Sequence, residues 1–183
     1  DRKAREQKHD RVLELLDHTE QIADVGGWEI DTETRDVFWS DHLFEMLEWE
    51  EAEEPPLEAA LDVYVEQDRS RVENAVEAAL EAGDAFSVEA RFQQAGGDIR
   101  WFEIRGDPRL KDGEVVTLRG AVHDITERKR RERTLREIYE IASDTDRSFP
   151  DKVHALLELG RRELDTGYGT LLRICGDEYT FEF

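Results

Sequence analysis

Residues 86–124 contain three strand-like runs joined by two tight turns, and this order limits the possible folds more than any other feature. In AFSVEARF, Phe86, Val88, Ala90 and Phe92 alternate with Ser87, Glu89 and Arg91, the period of a strand with one buried face. AGGD (95–98) and KDG (111–113) supply the Gly and Asp residues that hairpin turns require. They lead into IRWFEIRGDPRL and then EVVTLRGAVHD. Strands joined by turns this short pair antiparallel, because a parallel pair needs a crossover of about a dozen residues or more.

Upstream, residues 1–24 read as an amphipathic helix on the spacing of Val12, Leu15, Leu16 and Ile22, with VGG (25–27) expected to break it. WEIDTETRDVFWS reads as two short strands about a turn at Thr32–Arg35. DHLFEMLEW opens with Asp41, which can cap a helical turn, and EEAEEPPLE is a loop whose second proline suits the start of the helix LEAALDVYV. In EQDRSRVENAVEAALEAGD, Val72, Ala75, Val76, Ala79 and Leu80 form one apolar stripe, with Gly83 at the C-cap. Two strands, several short helices and three more strands predict an α+β fold: a five-stranded antiparallel sheet with short flanking helices and helical extensions at both ends.

From residue 126 the pattern is helical, with Leu135, Ile138 and Ala142 at three-to-four spacing. SDTDRSFPD is a polar joint, FPDKVHALLELGRRELDTG a second amphipathic helix, and YGTLLRI with EYTFEF a hairpin around CGDE. The expected organisation is a helix over 1–24, a sheet domain over 25–126, a linker helix over 127–144, and the start of another domain over 145–183. One helix and a hairpin are too few to close a core. The single methionine is Met46, so the chain reads as a piece of a longer protein.

The charge restricts partners. The chain carries 46 acidic against 25 basic residues, a net −21, and residues 41–68 contain no Lys or Arg. Such a field repels nucleic acid as a whole. Scarce lysine and dispersed acids fit a salt-loving source, where ions screen the self-repulsion, or an ordinary acidic protein from a GC-rich genome. No apolar run approaches the ~20 residues of a membrane span, and the lone Cys175 fits a reducing cytoplasm.

The run GGWEIDTETRDVFWSDHLFEML, then YVEQDRSRVENAVEAALEAGDAFSVEARF, then GGDIRWFEIRGDPRLKDGEVVTLRGAVHDITERKRRE resembles a PAS sensor domain with its closing PAC motif. The match covers roughly 25–126 and is carried above all by a Gly-Asp turn, an aromatic-rich strand, an Asp-Gly turn and Asp-Ile-Thr before a charged helix. The stretch Val65-Glu66-Gln67-Asp68 departs from the His-Pro often found there. Residues 145–183 are similar to the opening of a GAF domain. Together these imply an input module of a histidine kinase or transcriptional regulator of the two-component type, as in haloarchaea. Such a module senses a small ligand or partner and relays the event through its C-terminal helix to an output domain.

The resemblance also frames the cofactors. A haem-binding member is expected to carry a ligating His on the long helix, and residues 67–82 have none. A cysteinyl-flavin adduct needs a thiol in the pocket, and Cys175 lies outside the domain. A small molecule held without a covalent bond stays open, with Trp39, Tyr64, Phe86 and Trp101 as candidate lining residues, against a core simply filled by aromatics. His42, His123 and His154 lack metal-ligand spacing. His123 and Asp124 are strand neighbours that point to opposite faces, so they make a poor acid–base pair. No nucleophile-elbow, phosphate-loop or kinase glycine motif is present, so no catalysis is expected from these residues.

The junction AVHDITERKRRE (121–132) is the expected relay point: Asp124 capping the helix, Thr126 at the seam, and Glu127 answering three residues on in a capping box. Replacing Asp124 with Ala is expected to cost about 1 kcal/mol and to uncouple input from output. Arg128, Lys129, Arg130, Arg131, Arg133 and Arg136 lack the interleaved aromatics of a nucleic-acid surface, and read as a solvated helix face. The expected partners are a second copy, as a homodimer through the helices at 8–24 and 127–143, a downstream signalling domain, and a ligand-free interaction role as the alternative to ligand sensing.

Overall fold

The structure is a computed structural model that describes residues 2–49, 55–94, 96–175 and 178–181, with backbone only for 2–7, 9–10 and 172–181. The elements in order are α1 (Arg2–Ala23), β1 (Val25–Asp31), β2 (Val37–Trp39), α2 (Asp41–Met46), α3 (Leu57–Asp62), α4 (Glu66–Ala82), β3 (Phe86–Gln93), β4 (Ile99–Lys111), β5 (Glu114–Asp124), α5 (Thr126–Ser143), α6 (Phe149–Glu163), β6 (Leu172–Cys175) and β7 (Glu178–Phe181). They form two compact units, Asp1–Thr126 and Glu127–Phe183.

The first unit is the expected α+β architecture. Its sheet runs β2-β1-β5-β4-β3 with antiparallel pairing throughout. The inward face carries Trp28, Ile30, Val37, Trp39, Ala90, Phe92, Phe102, Ile104, Leu118 and Val122, which join Val72, Val76 and Ala79 of α4 and Leu43 of α2 in one core. The β4–β5 turn places Asp112 and Gly113 at φ of 54° and 90°, the doubly left-handed turn that matches the strand twist. Gly83 closes α4 at φ 72° with its N–H on the Ala79 carbonyl. Residue 95 of the AGGD turn and residues 50–54 of the acidic loop lie outside the described residues, as does the 176–177 centre of the CGDE turn.

Two glycines create a flat floor in the sheet. Gly106 and Gly120 face each other across β4 and β5. The Phe86 ring lies where a Gly106 Cβ would stand, and the Trp28 ring where a Gly120 Cβ would stand. The two aromatic rings therefore occupy adjacent seats, with centroids 6.3 Å apart. The helix stops just ahead of VGG, but the glycines are not what ends it. The helix ends at Ala23, Asp24 turns it at φ 54°, and the glycines lie inside β1. Gly26 is needed there because a side chain would meet Leu43 Cβ at 2.6 Å.

Helix starts also depart from expectation. Ser40, not Asp41, is the N-cap of α2, and its hydroxyl accepts from the Gly27 N–H at 2.9 Å instead of from its own helix. The helix LEAALDVYV stops at Asp62 because Tyr64 forms a β-bridge with Phe92. The β3 edge is covered in this way rather than left open. Val65 N–H donates to the Arg91 carbonyl, Arg91 N–H donates to Asp68 Oδ2, and Arg71 donates to the Glu89 carbonyl.

The second unit pairs α5 with α6. Thr134 Oγ1 donates to Glu163 at 2.9 Å, Lys152 Nζ to the Ala142 carbonyl at 2.9 Å, and Arg162 pairs with Glu137. Ser148 caps α6 by accepting from Asp151 N–H. β6 and β7 form a two-stranded antiparallel pair. Along α5, Arg131 pairs with Glu127 at 2.9 Å and Arg128 with Glu132 at 3.7 Å, the lengthwise pairing of a solvated helix.

Candidate functional site

The first unit holds a small, partly open cavity of about 50 Å³. Its walls come from every layer of the core. Trp28 and Ile30 of β1, Val37 and Trp39 of β2, Leu43 and Leu47 at α2, Leu57 and Leu61 of α3, Val72 and Val76 of α4, Ile104 and Val122 all touch it. Tyr64 contributes the one phenol, and burial pushes its pKa well above the ordinary tyrosine value, so it stays a neutral hydrogen-bonding group. The indole N–H of Trp28 is buried without a hydrogen-bond partner among the described residues.

The second feature is the joint where β5 becomes α5. Asp124 Oδ1 accepts from Thr126 N–H at 2.8 Å, and Thr126 Oγ1 accepts from Trp101 N–H at 2.9 Å. Asp124 Oδ2 takes two donors from Arg100, Nε at 2.8 Å and Nη2. Arg100 Nη1 then donates to the Met46 carbonyl at 2.8 Å. The Asp124 N–H donates to the Asp24 carbonyl at 3.1 Å, and Ile125 N–H to the Trp101 carbonyl at 2.8 Å. Asp124, Ile125 and Thr126 are thus tied to β4, to Asp24 just ahead of β1 and, through Arg100, to α2.

The sequence profile described as the PAS fold matches residues 36–122. A sensory box histidine kinase/response regulator from Burkholderia thailandensis, of known structure, is 31% identical, with a TM-score of 0.54, over 66% of this chain and 92% of that one. The chain belongs to the PAS family. A blue-light-activated histidine kinase from Brucella anthropi is 29% identical over 122 residues, and the chain spans about a quarter (24%) of its length. The PAS fold alone is shared with the N-terminal domain of a diguanylate cyclase with PAS/PAC sensor from Marinobacter aquaeolei, at 20% identity and a TM-score of 0.53 over 57% of this chain and 98% of that one. The PAS domain is a sensory signal-transduction module, and no described helix is long and apolar enough to cross a membrane.

Within the PAS domain, Trp39 and Tyr64 line the cavity, whereas Phe86 and Trp101 do not. Phe86 sits over Gly106 beside Trp28. Trp101 lies on the other face of the sheet from Phe102, where Arg91 stacks on its ring at 5.7 Å. The capping box is not formed. α5 starts at Thr126, two residues past Asp124, whose Oδ1 accepts from the Thr126 N–H; the Asp124 N–H is taken by the Asp24 carbonyl, and Glu127 turns to Arg131. Arg100 and Trp28 were not singled out from sequence. The signal for Arg100 was its parity with Phe102 and Ile104, which puts a cation on a core-facing strand position.

His42 is buried on α2, with Asp24 at 3.6 Å and Glu45 at 3.5 Å from its two nitrogens. No cluster of three or more His, Cys, Asp or Glu residues could hold a metal among the described residues.

Asp68 locks α4 onto β3. It accepts from Arg91 Nε at 2.7 Å, Arg91 Nη2 at 3.2 Å and Arg91 N–H at 2.9 Å, with Arg71 at 3.2 Å. The Arg91 guanidinium holds this carboxyl below the usual aspartate range, outweighing burial, which acts the other way. A lowered folded pKa contributes stability that is present above the unfolded value of about 4 and lost as pH falls through the folded one. Asp68→Asn is therefore expected to cost about 2 kcal/mol at neutral pH and to flatten the acid limb of Tm against pH. Thermal melts of the two proteins check this, and identical acid limbs would count against it.

Proposed function

We propose that the chain is the input part of a sensor histidine kinase, in which a small, largely apolar molecule in the PAS core changes how the Asp124 joint holds α5. The observation that carries this reading is the cavity, because its wall includes α2, which the Met46 carbonyl ties to Arg100 and Asp124. Blue light is the trigger in the name of the Brucella relative. Here residues 25–126 hold no cysteine, and about 50 Å³ is far below the roughly 300 Å³ where cofactor pockets begin. The fit is to a molecule of a few heavy atoms. Residues 145–183 are proposed as the opening of a GAF-like domain, a reading supported by α6 followed by the β6–β7 pair.

Native mass spectrometry and visible absorbance of the purified chain, followed by thermal melts under xenon, test this reading. The expected result is no flavin or haem bands and a Tm that rises with xenon pressure, as for other small apolar cavities. Stoichiometric flavin or haem would overturn it. A chain that retains no molecule and ignores xenon would favour the second reading, a ligand-free dimerisation module, which the exposed Val12, Leu15, Leu16 and Ile22 of α1 support.

A further inference from the structure

We propose that Arg100 is the relay residue of this domain, carrying the position of α2 to Asp124 and so to the first turn of α5. The proposal rests on the reading of the cavity as the input. Leu47 N–H donates to the Leu43 carbonyl, Trp49 N–H to that of Phe44, and Glu48 N–H to that of Glu45. Glu48, at φ 51°, makes this closure with a left-handed residue. The Met46 carbonyl, next in this series, accepts from Arg100 Nη1 at 2.8 Å. A cation at the carboxyl end of a helix is also favoured by the helix dipole.

The planar guanidinium can hold two acceptors in fixed relation. Its other edge grips Asp124 Oδ2, while the guanidinium carbon lies over the Phe102 ring, 5.3 Å from its centroid. In the β4–β5 register Asp124 stands opposite Phe102, so Arg100 reaches it diagonally past the end of the paired strands. Both charged side chains are largely shielded, 23% exposed for Arg100 and 9% for Asp124, so water replaces this link poorly. Leu43 and Leu47 flank Met46 and both touch the cavity. A shift of that wall must move the Met46 carbonyl, and with it one end of the guanidinium. The sheet offers a parallel route through Ile104 and Val122, which also line the cavity, but these side chains make no polar contact with Asp124.

Amide hydrogen exchange of residues 126–130 decides between the routes. It is to be measured in the wild-type chain, Leu47→Ala, Arg100→Lys and the double variant, each with its global stability from urea melts. Leu47→Ala is expected to lower protection of this turn about tenfold beyond its effect on global stability, and to add almost nothing in the Arg100→Lys background. Lysine keeps a charge beside Asp124 but cannot hold both acceptors, so the variant removes the link while retaining the fold. Equal factors in both backgrounds would overturn the relay and leave the cavity reading intact. No effect of Leu47→Ala on the turn in the wild-type background would overturn both.

Discussion

Gly120→Ala is expected to destabilise the PAS domain by about 3 kcal/mol, the upper range for overpacking a fixed core, and to lower its Tm by about 15 °C. The new methyl would fall within contact distance of two groups that cannot move aside cheaply, the Arg105 carbonyl of the neighbouring strand and the Trp28 ring. Displacing Trp28 also disturbs Phe86, which occupies the next seat over Gly106. Circular dichroism melts measure the loss, and the near-ultraviolet tryptophan signal should change with it. Gly113→Ala is the control. It sits at φ 90° with nothing within 4 Å of the added methyl, so only backbone strain of about 1 kcal/mol is expected. Equal losses for the two variants would refute the packing argument.

Asp124→Ala is expected to cost about 3 kcal/mol, because breaking a shielded ion pair leaves the partner charge uncompensated. This exceeds the value for a helix cap alone because the same carboxylate holds Arg100 through two donors and Thr126 N–H through its other oxygen. Glu127→Ala removes only an exposed pair with Arg131 and is expected to change stability by less than about 0.5 kcal/mol. Urea melts compare the two variants, and hydrogen exchange should show the first turn of α5 fraying in the first but not the second. A Glu127→Ala loss as large as that of Asp124→Ala would restore the full capping box and remove the special standing of Asp124.

The sheet was legible because each strand signals its own period and each hairpin its own turn. Phe86 to Phe92 alternate cleanly, and Asp112-Gly113 supplies left-handed residues where the chain reverses. The interior of the candidate site was harder to read. In IRWFEIR two aromatic residues are adjacent, so hydrophobicity cannot decide which faces inward. The parity is set by Arg100, which shares the face of Phe102 and finds Asp124 24 residues away in sequence. That contact places Trp101 outside, opposite to the expectation. Asp68 lies in the run that predicts the long helix, and nothing local announces that Arg91 will meet it across 23 residues. VGG misled for a related reason: Gly26 answers to the close approach of Leu43, a tertiary demand that mimics a helix stop.

The hydrogen bond from Asp124 N–H to the Asp24 carbonyl has a bearing on modularity. It brings the chain's point of entry into the sheet beside its point of exit, so the hundred residues between act as a parenthesis in a longer sentence. A domain with both doors on one wall can be spliced between two helices without lengthening the path from one to the next. What such a splice must respect is phase. Each residue added or removed at Ala23–Asp24 or Ile125–Thr126 turns the adjoining helix face by about 100°, so tolerance to insertions there should recur with the helical period rather than decline smoothly with length.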